Sequence, residues 1–496
     1  MSYRVGIHRQ SDARYPERPP FHPPERFPET PFAAETDPSN VAYASVRELF
    51  RMLGYDAARF GTPEWNPLGW LVRPGETVFL KPNMIAHRHR LRDEWDSVIT
   101  HGSVVRAVAD YIVVALAGRG RILLGDAPQQ DSSWDGIVAR MGLGEIQAFY
   151  RDRSGIEVEL LDLRDLHHVE RDGIYVAEQR LPGDPRGGVA VDLAGLSMFQ
   201  ELDARGKRYY GAYYDWAETN SHHRAGRHEY RISRSPLVAD VFVSLPKLKT
   251  HKKCGLTVNL KGLVGINADK NWLPHYAFGA PGEGGDQFAR GTLRTRLENL
   301  VVIPAKQLLL RGLPPFQALA RRTKRVGYDV FGDTEEVVRS GNWHGNDTVW
   351  RMALDLNRIL LYAGADGAMR SAGFAKRYFS VVDGLVAMEG NGPVAGTRRE
   401  TGLLVAGDNP VAVETVCARL MGFDPARLPM LARAFAPHRW PLIEGGEPEI
   451  EPVSDVPAWN RPLAKWRPTD TLRFRPHFGW TGAIEWEETP EATPRR

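Results

Sequence analysis

Cysteine is almost absent from this sequence of 496 residues, which contains only Cys254 and Cys417. Neither residue has a partner at the Cys-x-x-Cys spacing that metal and redox motifs use. The sequence therefore excludes a disulfide framework, a four-cysteine zinc site and a four-cysteine iron–sulfur cluster built by this chain alone. We expect no intrinsic iron–sulfur cluster. Cys254 is a candidate nucleophile, because the lysines around it would lower the pKa of its thiol.

Long apolar runs are missing as well. No stretch of about 18 apolar residues occurs, so no membrane span is predicted, and the opening residues (MSYRVGIHRQ) lack the apolar part of a secretory signal. The net charge of +3 and the pI near 8.7 fall short of the basic balance of a nucleic-acid-binding protein, although they suit an acidic ligand. We therefore predict a cytoplasmic protein that binds no nucleic acid.

Familiar catalytic signatures are also missing. The sequence has no Walker A motif, no Gly-x-Gly-x-x-Gly after the first strand, no Gly-x-Ser-x-Gly elbow and no His-Glu-x-x-His pair. Closely spaced histidines occur at 87–89 and 221–228, and such tracts can bind transition metals. The alternative is that these histidines lie on the surface or form hydrogen bonds. The sequence alone names no reaction type.

Lysine is scarce but concentrated. Only 12 of the 64 basic residues are lysines, and six of them fall within residues 244–270 (SLPKLKTHKKCGLTVNLKGLVGINADK), whereas no arginine occurs from 235 to 289. A solvated positive face would be served by arginine, which this chain uses elsewhere. Lysine differs because its pKa shifts on burial and because it binds phosphate as a point charge. The stretch therefore predicts a site that needs lysine itself, with chance clustering as the alternative.

Hydrophobic patterns predict an α/β fold. Short apolar runs such as ETVFLKPN and GRILLGDAP alternate with helical patterns such as THGSVVRAVADYIVVALAG, which favours a mostly parallel sheet with flanking helices. An inserted antiparallel β region is predicted at 165–235, and a second, partly helical insertion at 275–346. The predicted organisation is a Pro-rich N-terminal arm (1–39), an α/β core (40–439) and a surface-packed C-terminal tail (440–496).

Charged residues follow the predicted strands at their carboxyl ends, where open α/β sheets bind ligands. For any single residue, a solvated turn is the simpler explanation. The candidate catalytic residues are Lys247, Lys249 and His251, which alternate on an extended chain and so share a face. The candidate ligand-binding residues are Lys81, Asn83, Asn259, Lys261, Glu389 and Asn391. Asp126 and Asp383 are candidate Mg²⁺ ligands or acid–base groups.

Glycines accompany these residues. Gly255, Gly262 and Gly265 would let the backbone approach a ligand closely. A Gly-rich loop at 279–285 would cover the site. Both features suit a ligand held against the backbone at the edge of the sheet.

Segments spread over residues 76–425 resemble the bacterial family called domain of unknown function 362. The resemblance rests on VFLKPNM, ITHGSVVRAVADYI, ILLGDAP, DVFVSLPKLKTHKKCGLTVNLKGLVG, YFSVVDGLVAMEGNGP and LLVAGDNPVAVETVCARLMGFDP. The Pro-rich start looks like a subgroup found in polysaccharide and specialised-metabolite gene neighbourhoods. Many relatives append a ferredoxin-like module whose cysteines this chain lacks. The family has no settled activity, so the resemblance assigns no catalytic role to any residue.

Three functional hypotheses stay open. The first is an enzyme that binds an anionic small metabolite, phosphorylated or carboxylated, through lysines at the strand ends, with Mg²⁺ as an optional participant. The second is a non-catalytic ligand-binding or scaffold protein of a biosynthetic complex. The third is a redox protein that uses an iron–sulfur cluster from a partner chain.

Overall fold

The computed structural model describes residues 2–171, 174–203, 206, 208–213, 215–310 and 336–487. Part of the second predicted insertion, residues 311–335, and the last residues of the predicted tail, 488–496, lie outside the described residues. The domain bounds expected from the sequence stay predictions.

Seventeen strands occur in the described residues. In chain order they are β1 (Tyr3–Arg9), β2 (Thr77–Pro82), β3 (Arg121–Asp126), β4 (Glu157–Asp162), β5 (Leu166–Arg171), β6 (Ile174–Arg180), β7 (Gly188–Asp192), β8 (Tyr209–Gly211), β9 (His223–Arg224), β10 (Arg227–Ser233), β11 (Val241–Leu245), β12 (Lys247–His251), β13 (Gly255–Thr257), β14 (Pro274–Ala277), β15 (Arg377–Glu389), β16 (Thr397–Gly407) and β17 (Ile450–Ser454).

Twelve α-helices occur in the same residues. They are α1 (Val41–Leu53), α2 (Gly102–Leu116), α3 (Trp134–Arg140), α4 (Leu143–Arg153), α5 (Gln200–Asp203), α6 (Trp216–His222), α7 (Arg234–Val238), α8 (Asn259–Gly262), α9 (Leu293–Leu310), α10 (Val349–Tyr362), α11 (Pro410–Met421) and α12 (Pro429–Ala434). Side-chain caps fix several starts: Asn409, for example, accepts hydrogen bonds from the backbone of Val411 and Ala412 at the beginning of α11.

A ten-stranded mixed sheet organises the molecule. Its main path runs β17-β1-β16-β15-β11-β2-β3-β4, and β12 and β13 extend it beside β15. The run from β15 to β4 is parallel, whereas β16 is antiparallel to both β15 and β1. Small antiparallel sheets form from β5 and β6, from β7, β10 and β9, and from β14 and β8. The α/β fold class predicted from the sequence is confirmed.

The parallel strands are buried on both faces, which explains their continuous apolar runs. In β2, Phe79 belongs to one hydrophobic cluster while Val78 and Leu80 belong to the other, and the same alternation recurs in β3. Helices α1 and α2 cover the face of Val78, and α10 and α11 cover the opposite face. The sheet therefore forms the middle of three layers.

The strand order reverses between β2 and β11. From β2 the chain passes through α2 to β3 and through α3 and α4 to β4, moving in one direction across the sheet. The later strands β11 and β15 lie on the other side of β2. At such a reversal a crevice opens beyond the carboxyl ends of the strands. The lysine-rich segment begins at the carboxyl end of β11, on this edge of the sheet.

Two strands come from the terminal regions. β1 lies between β16 and β17, so it joins the first residues of the chain to a segment of the predicted tail. Phe21 and Phe27 of the Pro-rich region are buried against the cluster that contains α1 and α2. Neither of these terminal strands was predicted from the sequence. β1 (YRVGIHR) carries three basic residues, and it gains its partners only from segments about four hundred positions away.

Candidate functional site

A cleft of about 1510 Å³ opens beside the carboxyl ends of β2, β3 and β4. Its basic side chains outnumber its carboxylates. The lining contains Arg88, Arg90, Arg164, Lys252, Lys253, Lys261 and Lys270, against Asp131, Asp135 and Asp162. One of these carboxylates, Asp162, is already bound by Arg164 at 2.7 Å. The cleft therefore concentrates positive charge, which attracts anions.

A smaller recess of about 50 Å³, lined by Asn83, Thr257 and Gly262 among others, adjoins the cleft. His251 and Lys261 line both spaces. Lys261 lies at the end of the short helix α8, and only 7% of its surface is exposed. Its ammonium makes no hydrogen bond or ion pair with any residue that the structure describes. Burial lowers the pKa of Lys261, and an anionic ligand group would supply the missing partner.

His251 is neutral in this setting. Its Nδ1 atom accepts a hydrogen bond from the backbone N–H of Lys253 at 3.0 Å and lies 3.2 Å from Cys254 Sγ. Burial lowers the pKa of His251 well below its ordinary value, and nearby lysines act in the same direction. The proton of the neutral imidazole is therefore on Nε2, where it serves as a donor.

Cys254 does not behave as the sequence analysis expected. The thiol is enclosed, and burial raises its pKa to about 12 in spite of the nearby lysines. Desolvation of a buried thiolate outweighs the attraction of the surrounding ammonium groups. The prediction of a lowered thiol pKa is wrong, and with it the argument for Cys254 as a nucleophile.

Lys81 and Asp126 form a buried ion pair at the ends of β2 and β3. Lys81 Nζ lies 2.9 Å from Asp126 Oδ1. The backbone N–H groups of Met84 and Ala127 donate to the same carboxylate at 2.8 and 2.9 Å. A Cβ atom at Gly265 would lie 1.6 Å from Asp126 Oδ1. The glycine is therefore needed for close approach, but to this ion pair rather than to a ligand.

Lys247 and Asp383 form a second ion pair, and both side chains are 0% exposed. Lys247 Nζ lies 3.0 Å from Asp383 Oδ2 and donates to Tyr15 Oη at 2.8 Å. Tyr15 Oη donates to Asp383 Oδ1 at 2.5 Å, and the backbone N–H of His101 donates to Oδ2 at 2.9 Å. Tyr15, a residue of the Pro-rich arm, thus forms hydrogen bonds with both members of this ion pair.

Lys249 is equally enclosed. Its ammonium donates to Val98 O at 2.7 Å and to Asn83 Oδ1 at 3.2 Å. Burial, reinforced by Lys247, lowers its pKa well below the ordinary value. Neither lysine lines the cleft, so of the three candidate catalytic residues only His251 does.

The structure does not bring together the two predicted Mg²⁺ ligands. Asp126 is on β3 and Asp383 is on β15, with β2 and β11 between them. Three inter-strand spacings amount to about 14 Å, and each carboxylate is occupied by its own lysine. Within the described ranges, no group of three or more His, Cys, Asp or Glu side chains is arranged to hold a metal ion.

Of the remaining candidate ligand-binding residues, one lines the recess and the others lie away from both spaces. Asn83 lines the recess, whereas Asn259 Oδ1 accepts from Ser380 Oγ at 2.8 Å inside the core. Burial opposes ionisation of Glu389, yet hydrogen bonds from Arg475 and Arg399 lower its pKa. Neither Glu389 nor the following Asn391 lines the cleft, nor does any residue of the 279–285 loop.

Several cleft residues were not singled out from the sequence. Lys270 donates to Val264 O at 2.8 Å and to Asn267 O at 3.1 Å. Lys253 places its ammonium 5.0 Å from the centre of the Tyr276 ring. His275 also lines the cleft. Lys253 and Lys270 belong to the lysine-rich segment. They were not chosen as candidates because the alternation of side chains along an extended strand pointed to Lys247, Lys249 and His251.

Fold and site together define an open α/β protein with a basic cleft at the carboxyl ends of its parallel strands. Residues 194–419 match the sequence model of the family described as Domain of unknown function (DUF362). The matched part includes the whole lysine-rich segment and most of α11, and it supports the resemblance to that family.

Two further likenesses are more distant. The thylakoid-associated protein sll1697 of Synechocystis sp. is 23% identical over 389 residues, which are 78% of this chain and 73% of the relative. A crystal structure of a Thermotoga maritima protein aligns over 76% of this chain with 10% identity and a TM-score of 0.29, a likeness too weak to argue from. This chain covers 58% of that protein. None of the helices described is both long enough and apolar enough to cross a membrane.

Proposed function

We propose that the protein binds a small anionic metabolite in the cleft and acts on it as an enzyme. The observation that supports this most directly is Lys261, a buried ammonium at the cleft wall that no described residue neutralises. An unpaired buried charge costs several kcal/mol unless a counter-ion compensates it. A carboxylate or phosphate group of the ligand is the matching counter-ion.

The two adjoining spaces suit such a ligand. The recess of about 50 Å³ has room for one compact group, since a water molecule occupies about 30 Å³ in the liquid. Lys261, His251 and Asn83 line it, and these residue types can supply a positive charge and hydrogen-bond donors. The larger cleft then accommodates the rest of the metabolite. Two further basic residues, Lys252 and Lys253, line this cleft.

The proposal retains two expectations from the sequence. These are a cytoplasmic location and membership of the subgroup from polysaccharide and specialised-metabolite gene neighbourhoods. The relative from Synechocystis sp. is named for its association with thylakoids, so attachment to a membrane surface is the alternative location. Mg²⁺ would enter only with the ligand, because the two predicted metal ligands are bound to lysines.

Ligand-dependent thermal stability tests the proposal. The melting temperature of the full chain is measured with inorganic phosphate, succinate and an ionic-strength-matched chloride control, each with and without EDTA. A bound anion at 100 times its Kd stabilises the folded state by about 2.7 kcal/mol. We expect phosphate or succinate to raise the melting temperature of the wild type and of Lys465→Met, an exposed lysine outside the cleft.

Lys261→Met is the decisive variant. It should lose the response to the anion while remaining folded, because it removes a charge that has no protein partner. If Lys261→Met responded as strongly as the wild type, or if chloride acted as well as phosphate and succinate, the proposed site would be wrong. A response that disappears with EDTA would instead show that Mg²⁺ accompanies the anion.

A further inference from the structure

The geometry points to Lys270 as an amine that reacts with carbonyl groups, and we propose that the anionic ligand carries an aldehyde or ketone that forms an imine on Lys270. This inference rests on the proposed function, because the same cleft provides the charges that hold the anion. It narrows the ligand class from any small anion to a 2-oxo acid or a phosphorylated carbonyl compound.

Hydrogen bonding prepares Lys270 as a neutral amine. A neutral amine has two N–H donors and one lone pair, and Lys270 Nζ has two acceptors, the backbone oxygens of Val264 at 2.8 Å and Asn267 at 3.1 Å. With both N–H bonds directed to these oxygens, the lone pair points away from them. An ammonium would carry a third N–H bond, for which no described residue is an acceptor. Lys270 is 4% exposed and nevertheless lines the cleft.

The charges around Lys270 favour the same state. Burial lowers its pKa to about 7, and the positive charges of Lys81, Lys261 and Arg164 act in the same direction. Asp126 opposes them, but its carboxylate is 2.9 Å from Lys81. A substantial fraction of Lys270 is therefore uncharged near neutral pH, as a nucleophilic lysine requires.

Among the lysines that the structure describes, no other buried one combines these features with a place in the cleft wall. Lys249 also donates to two oxygens, but it does not line the cleft. Lys261 lines the cleft but has no described acceptor. Lys376 donates to Leu237 O at 3.0 Å, and burial lowers its pKa to about 8, yet it too lies outside the cleft. Lys376 is therefore the matched control.

The reaction balances without an oxidant or a reductant. The Lys270 lone pair forms a C–N bond with the carbonyl carbon, and the C=O π electrons move to oxygen, which takes a proton. That proton comes from solvent. Transfer of one of the two N–H protons to the hydroxyl then releases water and gives a protonated imine, whose remaining N–H bond keeps one backbone acceptor. The cationic imine then draws electrons from the adjacent C–H bond, whose proton passes to water, or from the C–carboxylate bond, which releases CO2. His275 lines the same cleft, and because its Nδ1–H donates to Leu273 O at 3.0 Å, its other ring nitrogen carries the lone pair.

Reductive trapping tests the inference. The full chain is incubated with glyoxylate, pyruvate or dihydroxyacetone phosphate and sodium cyanoborohydride, and the product is examined by intact mass and peptide mapping. We expect one reduced adduct, on Lys270, whose yield rises as the pH passes through about 7. Lys270→Arg should lose the adduct, and Lys376→Arg should retain it.

The outcome separates this inference from the proposed function. Equal labelling of Lys270, Lys376 and the exposed Lys465 in the wild type would overturn the inference, and this comparison requires no variant to fold. Absence of any adduct, together with a Lys261-dependent rise in melting temperature with phosphate, would overturn the imine and leave the anion site standing. Absence of both responses would overturn both.

Discussion

Burial explains why this chain uses lysine rather than arginine in residues 244–270. Four of the six lysines in the segment have buried side chains, and burial lowers the pKa of each of them, namely Lys247, Lys249, Lys261 and Lys270. An arginine cannot lose its proton at these positions, because the pKa of guanidinium is above about 12. A lysine can either pair with one carboxylate as a compact charge or become neutral.

Lys247, one of the three candidate catalytic residues, can be tested by substitution. Lys247→Met would leave the Asp383 carboxylate buried with only Tyr15 and a backbone N–H as partners. Removing one partner of a buried ion pair costs about 3–5 kcal/mol. We expect a loss of this size in the free energy of unfolding, measured by urea denaturation.

Matched variants make this prediction specific. Lys465→Met, at an exposed position, should change the free energy of unfolding by less than about 0.5 kcal/mol. The double variant Lys247→Met/Asp383→Leu should recover part of the loss, since it removes the stranded charge. Because Lys247 does not line the cleft, every folded variant should keep the phosphate response. A stable Lys247→Met protein that had lost that response would show that Lys247 contacts the ligand after all.

At the scale of elements, the strands β2, β3 and β11 could be predicted from the sequence because each is apolar on both faces. The directions in which the side chains of β12 and β15 point could not be predicted. The pairing of β12 with β15 shifts register between Lys247 and Lys249, so simple alternation does not hold there. β15 also continues past Asp383 to Glu389, since β12 and β16 both pair with its second half. The expected strand end at Asp383 is therefore inside a strand.

The turn after α8 brings Lys261 and Lys270 to the same cleft, and this turn depends on a glycine. Gly265→Ala would place its Cβ atom 1.6 Å from Asp126 Oδ1 and 2.7 Å from Lys81 Nζ. The turn or the ion pair must move, so we expect a loss of stability of about 1–3 kcal/mol and a weaker phosphate response. Differential scanning fluorimetry with and without phosphate measures both effects.

Gly262 is the control for this variant. An added Cβ atom there meets no other atom within 4 Å, and its φ of −57° suits alanine. Gly262→Ala should therefore be neutral or slightly stabilising in the absence of ligand. Equal destabilisation by the two substitutions would show that the contact between Gly265 and Asp126 is unimportant for the turn.

At the scale of the whole molecule, the site is assembled from segments far apart in the sequence. Tyr15 bonds Asp383 across 368 positions, and Trp480 bonds the lysine-rich segment across 228. Composition and periodicity carry no information about such contacts, so the order of the strands and the support of the cleft were beyond prediction. The Pro-rich arm does contain a local signal, since aromatic residues are rare in disordered segments, and its Phe21 and Phe27 are buried.

One hydrogen bond joins the tail to a residue that lines the cleft, and a substitution can remove this bond selectively. Trp480 is 1% exposed, and its Nε1–H donates to the backbone oxygen of Lys252 at 2.8 Å. Trp480→Phe keeps most of the apolar contact but removes this bond, which is worth about 1 kcal/mol. The wall formed by Lys252 and Lys253 would then be less well fixed, so we expect phosphate to bind about 3- to 10-fold more weakly, equivalent to about 0.7–1.4 kcal/mol.

Trp466→Phe is the matched control, because Trp466 is also buried in the tail and its Nε1–H donates to Arg461 O at 3.0 Å, away from the cleft. Both variants should lose similar stability in urea denaturation. Only Trp480→Phe should weaken phosphate binding in calorimetric titration. If the two variants bound phosphate equally well, the tail would contribute to the stability of the fold but not to the shape of the cleft.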